Sequence, residues 1–127
     1  MADSKVGAFL GHWLLGDPKP GAPLLNIQAI VVTPRHKIAG QAELTQAVNP
    51  PLDHAFDVVG IYHDSPSPNV RHFISLQSPA TPLIGAPSIH ILLELSEDWQ
   101  EGTATYSYWI GSLFHDVRNV PVHAVKK

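Results

Sequence analysis

Two runs of alternating apolar and polar residues, joined by a short polar loop, span Ser88 to Ile110 and constrain the fold of this chain most. A side-chain period of two is typical of a strand with one buried face, and a polar loop closed by glycine is typical of a hairpin. The loop runs from Ser96 to Glu101 and is followed by Gly102. The pattern predicts a β-hairpin whose core-facing residues are Ile89, Ile91, Leu93 and Leu95 in the first strand and Tyr106, Tyr108 and Ile110 in the second.

The rest of the chain repeats this pattern in shorter runs. Eleven of the 12 prolines lie between the runs, as an antiparallel meander requires, and Pro121 lies inside the last one, which indicates an edge strand. The sequence therefore predicts an all-β fold: an antiparallel meander of about eight strands forming a small barrel or sandwich. At most one short helix is expected, near Ser112 to Val117. The further runs are Val6–Leu15, Leu24–Thr33, Ile38–Thr45, Ala55–Tyr62, Val70–Gln77 and Arg118–Val125.

Length and composition indicate one ordered domain covering residues 1–127. The chain is 44% hydrophobic, and its net charge of −3 comes from eight basic and 11 acidic residues. Basic residues do not cluster as they do in nucleic-acid-binding proteins, so no nucleic-acid partner is expected. Without cysteine the chain has no disulfide and no thiolate metal ligand.

The apolar run Val6 to Leu15 does not fit a targeting or membrane segment. Asp3 lies where a signal peptide carries positive charge, and His12 and Trp13 interrupt the apolar residues. The run is also shorter than the roughly 20 residues of a membrane-spanning helix. We expect a cytoplasmic protein with no membrane partner.

Chemistry-bearing residues are present without the spacing that a catalytic or metal site needs. The eight histidines include no local metal-binding pair, and no Gly-x-Ser-x-Gly nucleophile elbow occurs. His12, His72 and His90 would form a metal site only if their strands were neighbours. The sequence therefore predicts no catalytic residue, no metal and no cofactor, and an enzyme only if several histidines and carboxylates converge in the fold.

The loop of the central hairpin is the candidate binding site. It places Trp99 beside the carboxylates of Glu97, Asp98 and Glu101. Tryptophan is enriched among the residues that dominate protein interfaces, so these four residues are predicted to contact a partner. The alternative is that Trp99 folds back over the strand ends while the acids are solvated.

Gly11-His12-Trp13, on the first predicted strand, resembles the Gly-x-Trp opening of lipocalin- and avidin-type barrels. In those families the tryptophan closes one barrel end and a basic residue of the last strand packs on it, a role that the resemblance gives to Arg118. It also implies a small apolar ligand inside a cavity. The whole chain, especially Tyr106 to His123, also looks like a family of small bacterial all-β proteins with no assigned function.

Three functions from different classes remain, of which the third is an enzyme whose residues are brought together by the fold. The first is an interaction or structural module acting through its surface, with a protein partner or with self-association through a strand edge. The alternative is a ligand-binding barrel for a small apolar molecule. The predicted inward residues, such as Phe56 and Ile74, are mostly large, which favours a filled interior and the first function.

Overall fold

The computed structural model is an eight-stranded antiparallel barrel in which each strand pairs with the next. It describes residues 7–17, 19, 21–47, 52–66, 71–79, 86–111 and 113–125, of which Leu52 and Leu113 are described by their backbone alone. The predicted all-β meander is confirmed. Of the two predicted architectures, barrel and sandwich, the barrel is the one that forms. The strands are β1 Ala8–Leu15, β2 Leu24–Val32, β3 Lys37–Gln46, β4 Leu52–Asp64, β5 His72–Gln77, β6 Ser88–Leu95, β7 Glu101–Ile110 and β8 Leu113–Ala124, with a 3₁₀ turn at Thr33–Arg35.

The central hairpin is confirmed as β6 and β7, with Ile91 opposite Tyr106 and Leu93 opposite Ala104. All the predicted inward residues of β6 are buried, as are Tyr106 and Tyr108, while Ile110 packs against the core from its edge. Every strand of the barrel contributes to one apolar core. The period-two pattern sets this arrangement because alternate side chains of a strand point to opposite faces of the sheet.

Leu93→Ala is expected to lower the free energy of unfolding by about 2–5 kcal/mol, the range for a buried leucine that leaves a cavity. Leu93 is 1% exposed, and its neighbour Leu92 on the outer face is 49% exposed. Leu92→Ala is therefore the matched control and should cost less than about 1 kcal/mol. Urea denaturation of both variants tests the assignment, and equal losses would contradict it.

The helix considered near Ser112 to Val117 is not what forms there. Ser112 lies outside the described residues, and β8 begins at Leu113 and pairs with β7. Phe114 packs on Trp109 across the hairpin at 4.9 Å between ring centroids. This cross-strand contact favours a strand over an isolated helical turn.

Closure of the barrel is short. The first and last strands pair only from Trp13 to Leu15, against Val122 to Ala124. Pro121 comes one residue before this ladder in β8, at the point where β1 has ended. The Pro121 carbonyl accepts from the Gly16 amide at 2.9 Å. Pro121 was expected in an edge strand. In the barrel it lies at the end of the short ladder that joins β8 to β1.

Candidate functional site

Hydrogen bonds within the β6–β7 loop fix its shape. The Trp99 amide donates to the Ser96 carbonyl at 3.0 Å, and the Ser96 amide donates to the Glu101 carbonyl at 2.9 Å. The Asp98 carboxylate accepts from the Ser96 hydroxyl at 2.6 Å and from the Gln100 amide at 3.1 Å. An aspartate that binds the backbone two residues on is a common turn former. The Asp98 carboxylate therefore stabilises the turn of the loop.

Trp99 does not present its ring to solvent at the hairpin tip, as a contact residue there would. Its side chain is 7% exposed, and its backbone φ is +65°, in the left-handed region that bulky residues rarely adopt. That conformation turns the ring back over the barrel end at which β6 stops and β7 starts. The alternative in which Trp99 folds over the strand ends is the one that forms.

Four aromatic rings surround Trp99 at this end of the barrel. Its ring centroid lies 3.8 Å from that of His72, which stacks on it, and 5.0 Å from that of Tyr62, which meets it edge to face. The Trp13 indole donates from Nε1 to the Trp99 carbonyl at 2.8 Å. We call these residues, with Trp99, the Trp99 cap: Phe9, Trp13, Tyr62, His72 and Trp99.

The Gly-x-Trp segment is part of this cap. The Trp13 ring lies over Gly11, where a Cβ would overlap the ring, so Gly11 leaves the space that Trp13 fills. Arg118 does not pack on Trp13 as the resemblance implied. It is exposed and donates from Nε to Asp116 at 2.6 Å, because the β8 segment that carries it lies beyond the end of β1. Trp99 takes that place in this barrel.

His72 ties the loop to the barrel wall. Its Nδ1 lies 2.8 Å from an Asp64 carboxylate oxygen, and its Nε2 lies 3.1 Å from the Glu97 carbonyl. Both partner atoms are acceptors, so a ring nitrogen that carries a proton donates to the partner that it faces. Burial, and then the charge of Asp64, raise the pKa of the neighbouring Tyr62 phenol. The loop is therefore held by β4 and β5 as well as by its own strands.

Because the pairing between β1 and β8 is short, the upper half of β1, Ala8 to Gly11, has no strand partner on the side of β8 among the described residues. The Val125 amide donates to the His12 carbonyl at 2.8 Å, so His12 directs its backbone groups towards β8. Alternate residues point the same way, so the amide and carbonyl of Leu10 and Ala8 also face this side. Leu10 is 75% exposed.

A groove of about 410 Å³ follows this unpaired edge. We call it the seam groove. One wall is β1 from Phe9 to Trp13, the other is the loop from Asp98 to Gln100, and Ala124 and Val125 close its lower end. Its lining includes the aromatic residues Phe9, Trp13 and Trp99 and one carboxylate residue, Asp98.

The predicted site residues are thus divided. Asp98 and Trp99 line the seam groove, whereas Glu97 and Glu101 are exposed and are not among its lining residues. Leu10 and Val125 are not among the predicted site residues, because the patterns of the terminal runs that contain them predict strands only. The signal present in the sequence is that Leu10 is apolar although it lies on the face opposite Phe9, Gly11 and Trp13.

The three histidines considered as metal ligands have separate surroundings. His12 is 3.3 Å from the amide oxygen of Asn26, His90 is 3.4 Å from the Ser75 hydroxyl, and His72 belongs to the Trp99 cap. Within the described ranges, no group of three or more histidines and carboxylates could hold a metal ion.

No helix in the described part of the chain reaches the length and apolarity needed to cross a membrane.

No curated protein matches this chain. A family model described as "Domain of unknown function (DUF1842)" matches residues 6–113, which include the strands and the loop that build the Trp99 cap and most of the seam groove. The chain belongs to this family of unknown function.

Proposed function

We propose that this barrel is a protein-interaction module that captures an extended segment of a partner protein in the seam groove. The observation that supports this most is that an unpaired strand edge and the Trp99 loop flank the same groove. An extended peptide adds to such an edge through main-chain hydrogen bonds, and pockets beside the edge select its side chains. The barrel then serves as a rigid frame for the edge.

The short pairing between β1 and β8 leaves two segments unpaired on this side, the upper half of β1 and residues 113–121 of β8, which we call the lower half of β8. They differ in how well they are protected against pairing with another strand. The lower half of β8 carries the Asp116–Arg118 ion pair, a bulge opposite Thr105 and then Pro121, all features that discourage another strand from pairing. The upper half of β1, Ala8 to Gly11, has no charge, proline or bulge. An unprotected edge beside a protected one favours β1 as the receptive strand.

The interior favours surface function over the alternative of an apolar ligand held inside. Large side chains from all eight strands pack at the barrel axis, and Trp99 covers one end. Barrels of about eight strands have interiors that side chains can fill. The seam groove, by contrast, opens to solvent along an edge.

The lining of the groove suggests the chemistry of the partner. Phe9 is half-buried and Trp13 and Trp99 are buried, so the rings at the groove give it an apolar lining. A partner segment with apolar residues would complement this lining. Self-association through the same edge is less favoured, because a groove with a second wall admits a single strand more readily than the edge of another barrel.

Leu10→Pro is expected to weaken peptide binding at least fivefold, because proline removes a donor that faces the groove while the β1–β2 ladder bonds, made by the alternate residues, remain. The probe is a pool of capped hexapeptides with four central positions drawn from Val, Ile, Leu, Phe and Thr and a terminal lysine. Binding is followed by amide shifts in ¹⁵N-labelled protein, and those of Leu10, Gly11, Gln100 and Val125 should move.

Leu10→Ala is the matched control, since it keeps the donor and removes the side chain. No binding from the pool up to millimolar concentration would overturn the proposal, as would shifts confined to the lower half of β8. A dimer found by light scattering for the wild type and lost in Leu10→Pro would show that a second copy is the occupant.

A further inference from the structure

We propose that His72 is a pH-dependent latch, which holds the β6–β7 loop against the barrel more firmly when its imidazole ring carries two protons. The latch consists of residues of this chain alone. Only its effect on the seam groove, given last, rests on the function proposed above.

The two ring nitrogens of His72 face two different elements. Nδ1 lies 2.8 Å from an Asp64 carboxylate oxygen at the end of β4, and Nε2 lies 3.1 Å from the Glu97 carbonyl in the loop. A neutral imidazole has one N–H and therefore donates to only one of these acceptors, while its other nitrogen directs a lone pair at an oxygen. A ring with two protons donates to both.

The contact that depends on the second proton is the one with the loop. In the neutral ring the proton is favoured on Nδ1, because a lone pair there would be repelled by the negative charge of Asp64. The second proton is therefore added to Nε2. It replaces two facing lone pairs by a charge-assisted hydrogen bond to the Glu97 carbonyl.

The same proton strengthens a second contact with the loop. The His72 ring stacks on Trp99 with 3.8 Å between centroids and 19° between planes. A cation over the face of an indole is attracted by the ring's quadrupole. The Trp99 backbone has a φ of +65°, which is costly for a tryptophan, so the position of the loop depends on such contacts.

The groups around His72 leave histidine as the titrating side chain between pH 5 and 8. Burial, and then the charge of Asp64, raise the pKa of the Tyr62 phenol, which stays neutral in this range. His36 is the second imidazole near the same carboxylate, at 4.0 Å, and it stacks on Tyr62. The ionisable residues of the elements around His72 are Arg71 directly before β5, His36 before β3, Tyr62, His63 and Asp64 in β4, Glu94 in β6, and Glu97 and Asp98 in the loop.

The ¹⁵N chemical shifts of the His72 ring test the latch in the wild-type protein. At pH 8 we expect a proton on Nδ1 and a bare Nε2, and at pH 5 a proton on both nitrogens. A neutral ring protonated on Nε2 would overturn the proposal, because the loop would then already have its donor. A ring that still carries one proton at pH 5 would overturn it as well.

Exchange of the Trp13 indole proton reports whether the loop is in place, since Trp13 Nε1 donates to the Trp99 carbonyl at 2.8 Å. Its protection factor, corrected for exchange of free indole at each pH, should be at least about threefold higher at pH 5 than at pH 8, as expected for one hydrogen bond. His72→Phe keeps a ring on Trp99 without the nitrogens and should abolish this difference. His36→Phe is the matched control and should keep it.

Equal protection at both pH values in the wild type would overturn the proposal. A difference that persists in His72→Phe and disappears in His36→Phe would overturn it too, because the titrating residue would then be His36.

The seam groove should respond to the latch, because Asp98 to Gln100 form one of its walls and a firmer wall lowers the cost of ordering on binding. The peptide pool should bind the wild type at least about twofold more tightly at pH 5 than at pH 8, and His72→Phe equally at both. Equal binding by the wild type would overturn the effect on the groove. Absence of binding at both pH values, with the Trp13 difference intact, would remove the proposed function and support the latch alone.

Discussion

Trp99→Ala is expected to lower the free energy of unfolding by about 3–5 kcal/mol, the usual range for a buried tryptophan. The ring is 7% exposed and packs against Phe9, Trp13, Tyr62 and His72, so alanine leaves a cavity at one end of the barrel. Alanine also keeps the cost of a left-handed backbone without the packing that offsets it. For a chain of this size the melting temperature should fall by roughly 10–20 °C.

Two further variants separate packing from exposure and from strain. Trp109 is 47% exposed on the outer face, so Trp109→Ala should cost less than about 1 kcal/mol. Trp99→Gly should be about 1 kcal/mol more stable than Trp99→Ala, because glycine adopts a positive φ freely. Unfolding of Trp99→Ala at the wild-type denaturant midpoint would show that Trp99 is a surface contact residue after all.

Alternation along single strands was enough to predict an all-β meander, because the residues of each buried face can be identified from their neighbours in the sequence. It did not decide between a barrel and a sandwich, since that depends on pairing between the first and last strands. Leu93 and Tyr106 could be assigned inwards from their own neighbours alone. The direction of the Trp99 ring could not, since it depends on a positive φ that sequence patterns associate with glycine. The contacts of the Trp99 ring with aromatic rings of other strands offset the cost of this backbone conformation.

The site itself depends on register between distant strands, which local patterns do not contain. Asp64 follows His63 in the sequence, but it pairs across the sheet with His72. The seam groove likewise depends on β8 meeting β1 over only three residue pairs. A run of apolar residues in β1 predicted a strand and gave no sign that half of one edge would stay open.

Alkaline pH is expected to destabilise the barrel, because all three tyrosines, Tyr62, Tyr106 and Tyr108, are buried. Burial raises the pKa of each, most of all that of Tyr106, to which the charge of Tyr108 adds. The folded state thus keeps the phenols neutral at pH values at which the unfolded chain ionises. Stability should be fully present below about pH 10 and fall above it by up to about 1.4 kcal/mol per pH unit for each tyrosine.

Tyr106→Phe is expected to reduce this alkaline loss by the share of one phenol and to raise stability at pH 7 by about 1 kcal/mol. The gain at neutral pH arises because the Tyr106 hydroxyl is buried without a hydrogen-bond partner among the described residues, and an unsatisfied buried hydroxyl is costly. Urea denaturation from pH 7 to pH 11.5 measures both effects. Tyr108→Phe is the matched control: it should also flatten the alkaline slope, but without the gain at pH 7. A loss of stability at pH 7 in Tyr106→Phe would mean that the hydroxyl has a partner, and an unchanged slope would mean that Tyr106 ionises as readily in the barrel as in the unfolded chain.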